Sequence, residues 1–123
     1  MAKMEKVFDY DFDKLLNIVE EGVLNGSLSS SLEDSSDFTS GNARCSVRVF
    51  ERYSLTGSNR LSLSVTLFQS NGGPVHFSAI TAGGGEAIFS YNTFGEAKFL
   101  DKLLEILCED SELRRQLRNQ TGN

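Results

Sequence analysis

The sequence predicts an α+β fold in which a single antiparallel meander sheet of about five to six strands packs against two helices. Near each end of the chain, apolar residues recur at helical spacing. Between these two segments, apolar and polar residues alternate, which is typical of half-buried strands. The turns between the alternating segments are too short for crossover connections. The predicted order of elements is therefore β-α-β-β-β-β-β-α.

The first helix follows a short β-prone segment at residues 6–10. Asp11 is predicted to cap this helix, and Asp13 lies in its first turn, where the helix dipole favours a negative charge. Asn25 and Gly26 are predicted to end the helix, because glycine readily adopts the left-handed conformation of a C-cap. The apolar stripe of this helix consists of Phe12, Leu15, Leu16, Val19 and Val23.

The middle of the chain predicts the strands of the meander. Residues 34–42 are predicted to form a polar loop, because Ser, Asp and Gly dominate them. In the segment 43–53, the odd-numbered apolar positions are predicted to face the core. The predicted strands cover residues 27–33, 43–53, 60–69, 75–80 and 87–91.

A second helix is predicted near the end of the chain. Thr93 and Glu96 have the spacing of a capping box, which indicates a helix start. The helix is predicted to end near Cys108, and Asp110 and Ser111 then indicate a break or a new cap. Its apolar face is predicted to carry Ala97, Leu100, Leu103, Leu104 and Leu107.

Two resemblances accompany this pattern. Through SLEDSSD at 31–37, RCSVRVFERY at 44–53 and NTFGE at 92–96, the sequence is similar to a family of small bacterial proteins of unknown function. That likeness implies no activity. The order of elements also resembles the helix-grip folds, including TATA-binding-protein-like domains. The second likeness implies a long C-terminal helix across a curved sheet, often with a cavity between them.

Composition and charge narrow the classes of function. The chain has 123 residues, of which 39% are hydrophobic and 24% charged, as in one globular domain. We expect a single domain at residues 1–118 and a frayed tail at 119–123. The net charge of −5 disfavours nucleic-acid binding, because affinity for phosphates comes from clustered Lys and Arg. No apolar run could span a bilayer and residues 1–6 do not look like a signal peptide, so a cytoplasmic location is expected.

The sequence offers few groups for catalysis or metal binding. Cys45 and Cys108 match no C-x-x-C pattern, and His76 is the one histidine of the chain. Residues 83–85 are three glycines, but Glu86 would repel a phosphate there, so a hairpin loop is the better interpretation. We predict no catalytic residue, no metal site and no cofactor, and an enzyme is not indicated.

One acidic pattern is compatible with two interpretations. Asp9, Asp11, Asp13 and Glu20 occupy four ligand positions of an EF-hand calcium loop. Lys14 stands where that loop needs glycine, and the loop would also consume residues of the apolar stripe. We therefore favour an acidic helix N-terminus over a calcium site.

The candidate site with the strongest sequence support is a set of arginine and aromatic residues. Strand alternation predicts that they project from the sheet on the side away from the core. This surface is either solvated or a contact surface for a second copy or an acidic protein, since Arg and aromatic residues are enriched at binding hot spots. The alternative function is a small-ligand pocket between the C-terminal helix and the sheet. The predicted binding residues are Arg44, Arg48, Phe50, Arg52, Arg60, Phe68 and His76.

Overall fold

The structure, a computed structural model, describes residues 1–26, 30–53, 60–83 and 89–120. Within these ranges the chain forms one sheet of five strands and three helices, which confirms the α+β fold class. In chain order the elements are β1 (Ala2–Phe8), α1 (Phe12–Gly26), β2 (Ser31–Ser40), β3 (Ala43–Tyr53), β4 (Arg60–Ser70), β5 (Val75–Gly83), α2 (Phe89–Cys108) and α3 (Ser111–Gln120).

The sheet has the strand order β1-β5-β4-β3-β2, and all neighbours pair antiparallel. Strands β2 to β5 form the predicted meander, and β1 pairs with the outer side of β5. The turn between β4 and β5 has positive φ angles at Asn71 (56°) and Gly72 (69°). Two positive φ angles in succession define a type I′ turn, whose twist matches that of a hairpin. The resemblance to helix-grip folds stays a prediction.

The core lies between one face of the sheet and helices α1 and α2. Leu15 and Val19 of α1 are fully buried, as the apolar stripe predicts. In α2 the buried face is rotated from the predicted one, because Leu103 and Leu107 are buried whereas Leu104 is half-buried. The largest fully buried side chains are Phe8, Phe50, Phe77, Phe99, Leu15, Leu63, Leu67, Leu103, Leu107, Leu113, Val19 and Val65.

Three local predictions differ from the structure. The segment 34–42, predicted as a loop, lies mostly in β2, an edge strand whose exposed faces require no apolar alternation. Residues 89–91, predicted as part of a strand, begin α2, while 84–88 lie outside the described residues. Thr93 therefore lies inside α2, so the predicted capping box does not start that helix.

Of the two alternatives predicted at Asp110 and Ser111, a break or a new cap, the structure shows a cap. The Oδ1 of Asp110 accepts hydrogen bonds from the backbone N–H groups of Glu112 and Leu113, both at 2.9 Å. These bonds satisfy donors that the first turn of α3 would otherwise leave free. Asn119 and Gln120 end α3, and residues 121–123 lie outside the described part of the chain.

Candidate functional site

The helices cover one face of the sheet, and the opposite face is exposed. Successive side chains of a strand point to opposite faces. In β4, Leu67 is buried under the helices, whereas its neighbour Phe68 is 41% exposed. In β5, Ala79 is buried and Ile80 is exposed. We call the exposed side the open face. The odd-numbered residues of β1 and β3 project to the open face. So do the even-numbered residues of β4 and β5, and those of β2 that follow the register shift at Glu33.

An apolar row crosses the open face near one end. The pairing registers bring one residue of every strand into this row, which we call row 1. The rings of Phe68 and His76 lie 6.4 Å apart. Phe38 is 58% exposed and Val7 is 42% exposed. In sheet order, row 1 consists of Val7, His76, Phe68, Cys45 and Phe38.

The next two rows are flatter and more polar. Their central positions are Thr66 and Ser64, small side chains that lie close to the sheet. Row 2 consists of Glu5, Ser78, Thr66, Val47 and Ser36. Row 3 consists of Lys3, Ile80, Ser64, Val49 and Asp34.

The far end of the open face is charged. Arg60 forms ion pairs with Glu51 and, at 3.9 Å, with Glu33. Its guanidinium also lies over the ring of Tyr53, 5.7 Å from the centroid. The open face therefore runs from an apolar end to an ionic end along the strands.

Three of the seven predicted binding residues lie on the open face, and four do not. Arg60, Phe68 and His76 project away from the helices, as predicted. The prediction that the other four share that side is wrong. They lie on the helix side of β3, and the most buried of them is Phe50, at 0% exposure. The four residues on the helix side are Arg44, Arg48, Phe50 and Arg52.

The arginines of β3 make contacts within the protein. Arg44 lies 3.9 Å from the ring centroid of Phe12, and its Nη2 is 2.8 Å from Asp13 Oδ1. Arg52 lies 4.4 Å from the ring centroid of Phe99. Arginine can stack on an aromatic face while its stem covers apolar surface. These two side chains therefore extend the core at the margin of the helical layer.

Arg48 is 7% exposed, and its guanidinium donors are occupied on every nitrogen. Nε pairs with Glu20, Nη2 lies 3.0 Å from Asp37 Oδ1, and Nη1 donates to the carbonyl of Val47 at 2.9 Å. Burial acts to lower the pKa of Arg48, but the hydrogen bonds to Glu20 and Asp37 outweigh it and raise the pKa. With its donors satisfied, Arg48 connects α1 to the sheet and has little capacity left for a ligand.

Asp37 completes this network. Its Oδ1 accepts a hydrogen bond from the Ser46 hydroxyl at 2.6 Å. That hydrogen bond, together with the pairing to Arg48, lowers the pKa of Asp37, although partial burial opposes the shift. Asp37 stays ionised and balances the charge of Arg48.

A spacing signal in the sequence could have revealed the true position of these arginines. Asp13 and Glu20 lie on one side of α1, separated by ~10 Å along the helix axis. Arg44 and Arg48 lie on one side of β3, separated by ~13 Å. The similar lengths allow each carboxylate to meet one arginine, which the ion pairs show.

The two free edges of the sheet differ. At the β1 edge, the side-chain amide of Gln120 both accepts from the N–H of Val7 (2.9 Å) and donates to its carbonyl (2.7 Å). Gln116 pairs with the backbone of Asp9 in the same way, with both distances 2.8 Å. Helix α3 therefore satisfies backbone groups that an edge strand usually leaves open. Strand β2 forms the other edge, where the pairing register shifts at Glu33.

The carboxylates of the calcium-like pattern point to separate partners. Asp11 caps α1, accepting a hydrogen bond from the backbone of Lys14 at 2.8 Å. Asp13 and Glu20 pair with the arginines of β3, whereas Asp9 contacts Gln116 through its backbone N–H and carbonyl. Among the described residues, no group of three or more His, Cys, Asp or Glu side chains could hold a metal ion. Cys45 and His76 both lie on the open face, but Phe68 lies between them, so their side chains are not neighbours.

A surface groove lies between the two long helices. It has a cavity volume of about 540 Å³, and its walls include Lys14 and Glu21 of α1, Lys102 of α2, and Glu109, which follows α2. The alternative hypothesis from the sequence, a small-ligand-binding domain, predicted a pocket in a different place, between the C-terminal helix and the sheet. In that layer Phe99, Leu103 and Leu107 are packed against the sheet with at most 2% exposure. In the described part of the chain, no helix is both long enough and apolar enough to cross a membrane.

Fold and site together define a small α+β domain with one helix-covered and one open sheet face. The model of a family of unknown function, DUF6054, matches residues 1–110, and the chain belongs to that family. Helix α3, which satisfies the β1 edge, lies beyond the matched residues. Comparisons with curated proteins and with solved structures gave no match.

Proposed function

We propose that this protein is a non-catalytic protein-interaction module and that the open face is its contact surface. The observation that carries this proposal is row 1, in which Phe38, Phe68 and Val7 are exposed on a sheet face that none of the three described helices covers. Contiguous exposed apolar residues on a soluble domain are typical of interaction sites.

The composition of the open face supports a protein partner over a small ligand. The face is an exposed sheet surface, on which Phe38 is 58% and Phe68 41% exposed, whereas small-ligand sites are concave and enclose most of the ligand. Aromatic residues with a polar surround are typical of protein–protein contacts. Row 1 supplies the apolar centre, and Arg60 with its glutamates supplies a polar margin.

The proposal uses three of the residues predicted from the sequence. Phe68 and His76 lie at the centre of row 1, and Arg60 lies at the ionic end. We do not propose an acidic partner, because that hypothesis depended on free arginines of β3. These arginines are paired with the protein's own carboxylates or stacked on its own rings.

Photo-crosslinking in cells tests the proposal. The change Phe38→p-benzoylphenylalanine places a reactive ketone on the open face, and Leu24→p-benzoylphenylalanine places it on α1. Leu24 is a matched control because it is also an exposed apolar residue, at 38%. We expect discrete protein adducts from position 38 and none from position 24. Equal adducts at both positions, or none at position 38, would contradict the proposal.

A further inference from the structure

We infer that the partner of the open face is a second copy of this chain, packed face to face about a twofold axis that runs along β4. This inference rests on the proposed function and specifies its partner. It follows from three features: the position of β4 in the sheet, the arrangement of the residue rows, and the protection of both sheet edges.

Strand β4 is the middle strand of five. A twofold axis along β4 and parallel to the sheet places β4 on β4, β5 on β3 of the second copy, and β1 on β2 of the second copy. Each row of residues then meets the same row of the second copy in reverse order. An interface of this kind requires one patch to be complementary to itself.

Row 1 meets this requirement with apolar and aromatic contacts. Phe68 lies on the axis and faces Phe68 of the second copy. Val7 faces Phe38 of the second copy, and His76 faces Cys45. These contacts would bury the exposed large side chains of row 1, which is the main favourable contribution to association.

Row 3 is also complementary to itself, through opposite charges and through the sizes of its side chains. Ile80 faces Val49 of the second copy, and Lys3 faces Asp34 of the second copy. Because each copy carries a net charge of −5, two copies repel each other. A contact between opposite charges offsets part of this repulsion and favours the register in which Lys3 meets Asp34. The small side chain of Ser64 lies on the axis and allows the two sheets to approach.

The competing twofold axis, across the strands, is disfavoured by the same rows. It would place row 1 against the ionic end, so that Cys45 of one copy would face Glu51 of the other. Glu51 is paired with Arg60, and moving such an ion pair out of water against apolar side chains can cost more free energy than the attraction between its charges returns. The polarity of the open face therefore selects the axis along β4.

Edge-to-edge pairing of two copies is also disfavoured. At the β1 edge, helix α3 satisfies the backbone groups of Val7 through Gln120, and those of Asp9, just after the strand, through Gln116. The β2 edge carries Glu33 at a register shift, and acidic Asp34 and Asp37 on either face. Bulges and charges are devices that deter strand addition. The apolar surface left for a second copy is the open face.

The area is sufficient for a specific, weak to moderate dimer. Five strands spaced at ~4.8 Å, with rows 1 to 3 and the ionic end spaced at ~6.6 Å along them, cover ~600 Å² per copy. Two copies would bury ~1,200 Å², the lower end of specific protein–protein interfaces.

Sedimentation equilibrium over a range of concentrations tests the dimer. We expect the wild type to form dimers, and Phe68→Asp to weaken the association constant roughly 30-fold or more, because two carboxylates would meet on the axis. Leu24→Asp, an equally exposed change on α1, should leave the association constant unchanged. A monomeric wild type at millimolar concentration, or equal effects of the two variants, would overturn the inference.

A charge exchange tests the axis itself. Lys3→Asp and Asp34→Lys should each weaken dimerisation roughly three- to tenfold, because each contact occurs twice in the dimer. The double variant should restore the wild-type association constant. Failure of the double variant to restore it would overturn the axis along β4.

The photo-crosslinks at position 38 separate this inference from the proposed function. Adducts with twice the mass of the chain support the second copy. Adducts of another mass, together with a monomeric wild type in sedimentation, would contradict the homodimer but would still support a protein-interaction module. No adduct at all overturns both.

Discussion

The two faces of this sheet carry similar residue types and use them differently. On the helix side, Phe50 is fully buried and the guanidinium of Arg48 is paired with Glu20 and Asp37. On the open face, Phe68 remains exposed and Arg60 pairs only with side chains near the solvent. An alternating pattern of Arg and Phe on a strand therefore does not show that these residues lie on an exposed surface. The helices that cover one face decide which of these residues are available to a partner.

The helical layer is narrower than the sheet, and this explains the chemistry of β3. Helices α1 and α2 pack mainly over β1, β5 and β4, whereas β2 is exposed along its whole length. At β3 the long arginine side chains fill the space beside the helices. Arg44 reaches Phe12, and Arg52 reaches Phe99. Their stems provide apolar cover while their charged groups remain paired or stacked.

The largest expected difference between the two faces concerns their phenylalanines. Phe50→Ala should lower the free energy of unfolding by about 3–5 kcal/mol, because it leaves a cavity in the core. Phe68→Ala, at protein concentrations low enough to keep the chain monomeric, should lower it by less than about 1 kcal/mol. Urea denaturation of both variants measures the two values. Similar losses would mean that the two faces are assigned incorrectly.

A smaller difference is expected between the arginines of the two faces. Arg48→Met should lower the free energy of unfolding by about 1–3 kcal/mol, because it leaves Glu20 and Asp37 without their shared partner. The loss stays below that of a fully buried pair, since both carboxylates are partly exposed. Arg60→Met should cost less than about 1 kcal/mol, as is usual for exposed ion pairs. Thermal denaturation of the two variants compares them, and a larger loss for Arg60→Met would refute this ranking.

The smallest expected effect concerns pH. The pKa of Asp37 is lower in the folded protein than its ordinary value of 3.8, so its contacts stabilise the fold above that pH and are lost as the pH falls through the folded pKa. Water screens this half-exposed carboxylate, and we expect its contribution to be below about 1 kcal/mol. Asp37→Asn should therefore reduce stability at pH 7 and flatten the acid limb of the stability profile.

Other carboxylates titrate in the same acid range, so the comparison must use the difference between wild type and Asp37→Asn. The hydrogen bond from Arg115 lowers the pKa of Glu112 to about 2, and the hydrogen bond from Tyr10 lowers that of Asp110. Both groups are present in the two proteins and cancel in the difference. An unchanged slope below pH 4 in Asp37→Asn would show that the Ser46 and Arg48 contacts of Asp37 do not stabilise the fold.

Elements with a strong apolar periodicity could be predicted from the sequence. The apolar stripe of α1 and the alternation of β4 and β5 are reproduced in the buried residues Leu15, Leu63 and Phe77. The cap at Asp110 follows from local chemistry, because a short carboxylate reaches the N–H groups two and three residues later. These features need no knowledge of distant residues, and sequence predicts them well for that reason.

The side of β3 that faces the helices depends on tertiary contacts and could not be predicted from the sequence. Both alternating sets of β3 are plausible as core: one holds Cys45, Val47 and Val49, and the other holds Phe50 among arginines. A strand's side-chain period of two makes the choice depend on register, and the pairing of Phe50 with Leu63 places the arginine set on the helix side. The carboxylates of α1 and the rings of Phe12 and Phe99 then make that choice stable, since they satisfy each arginine where the helical layer ends.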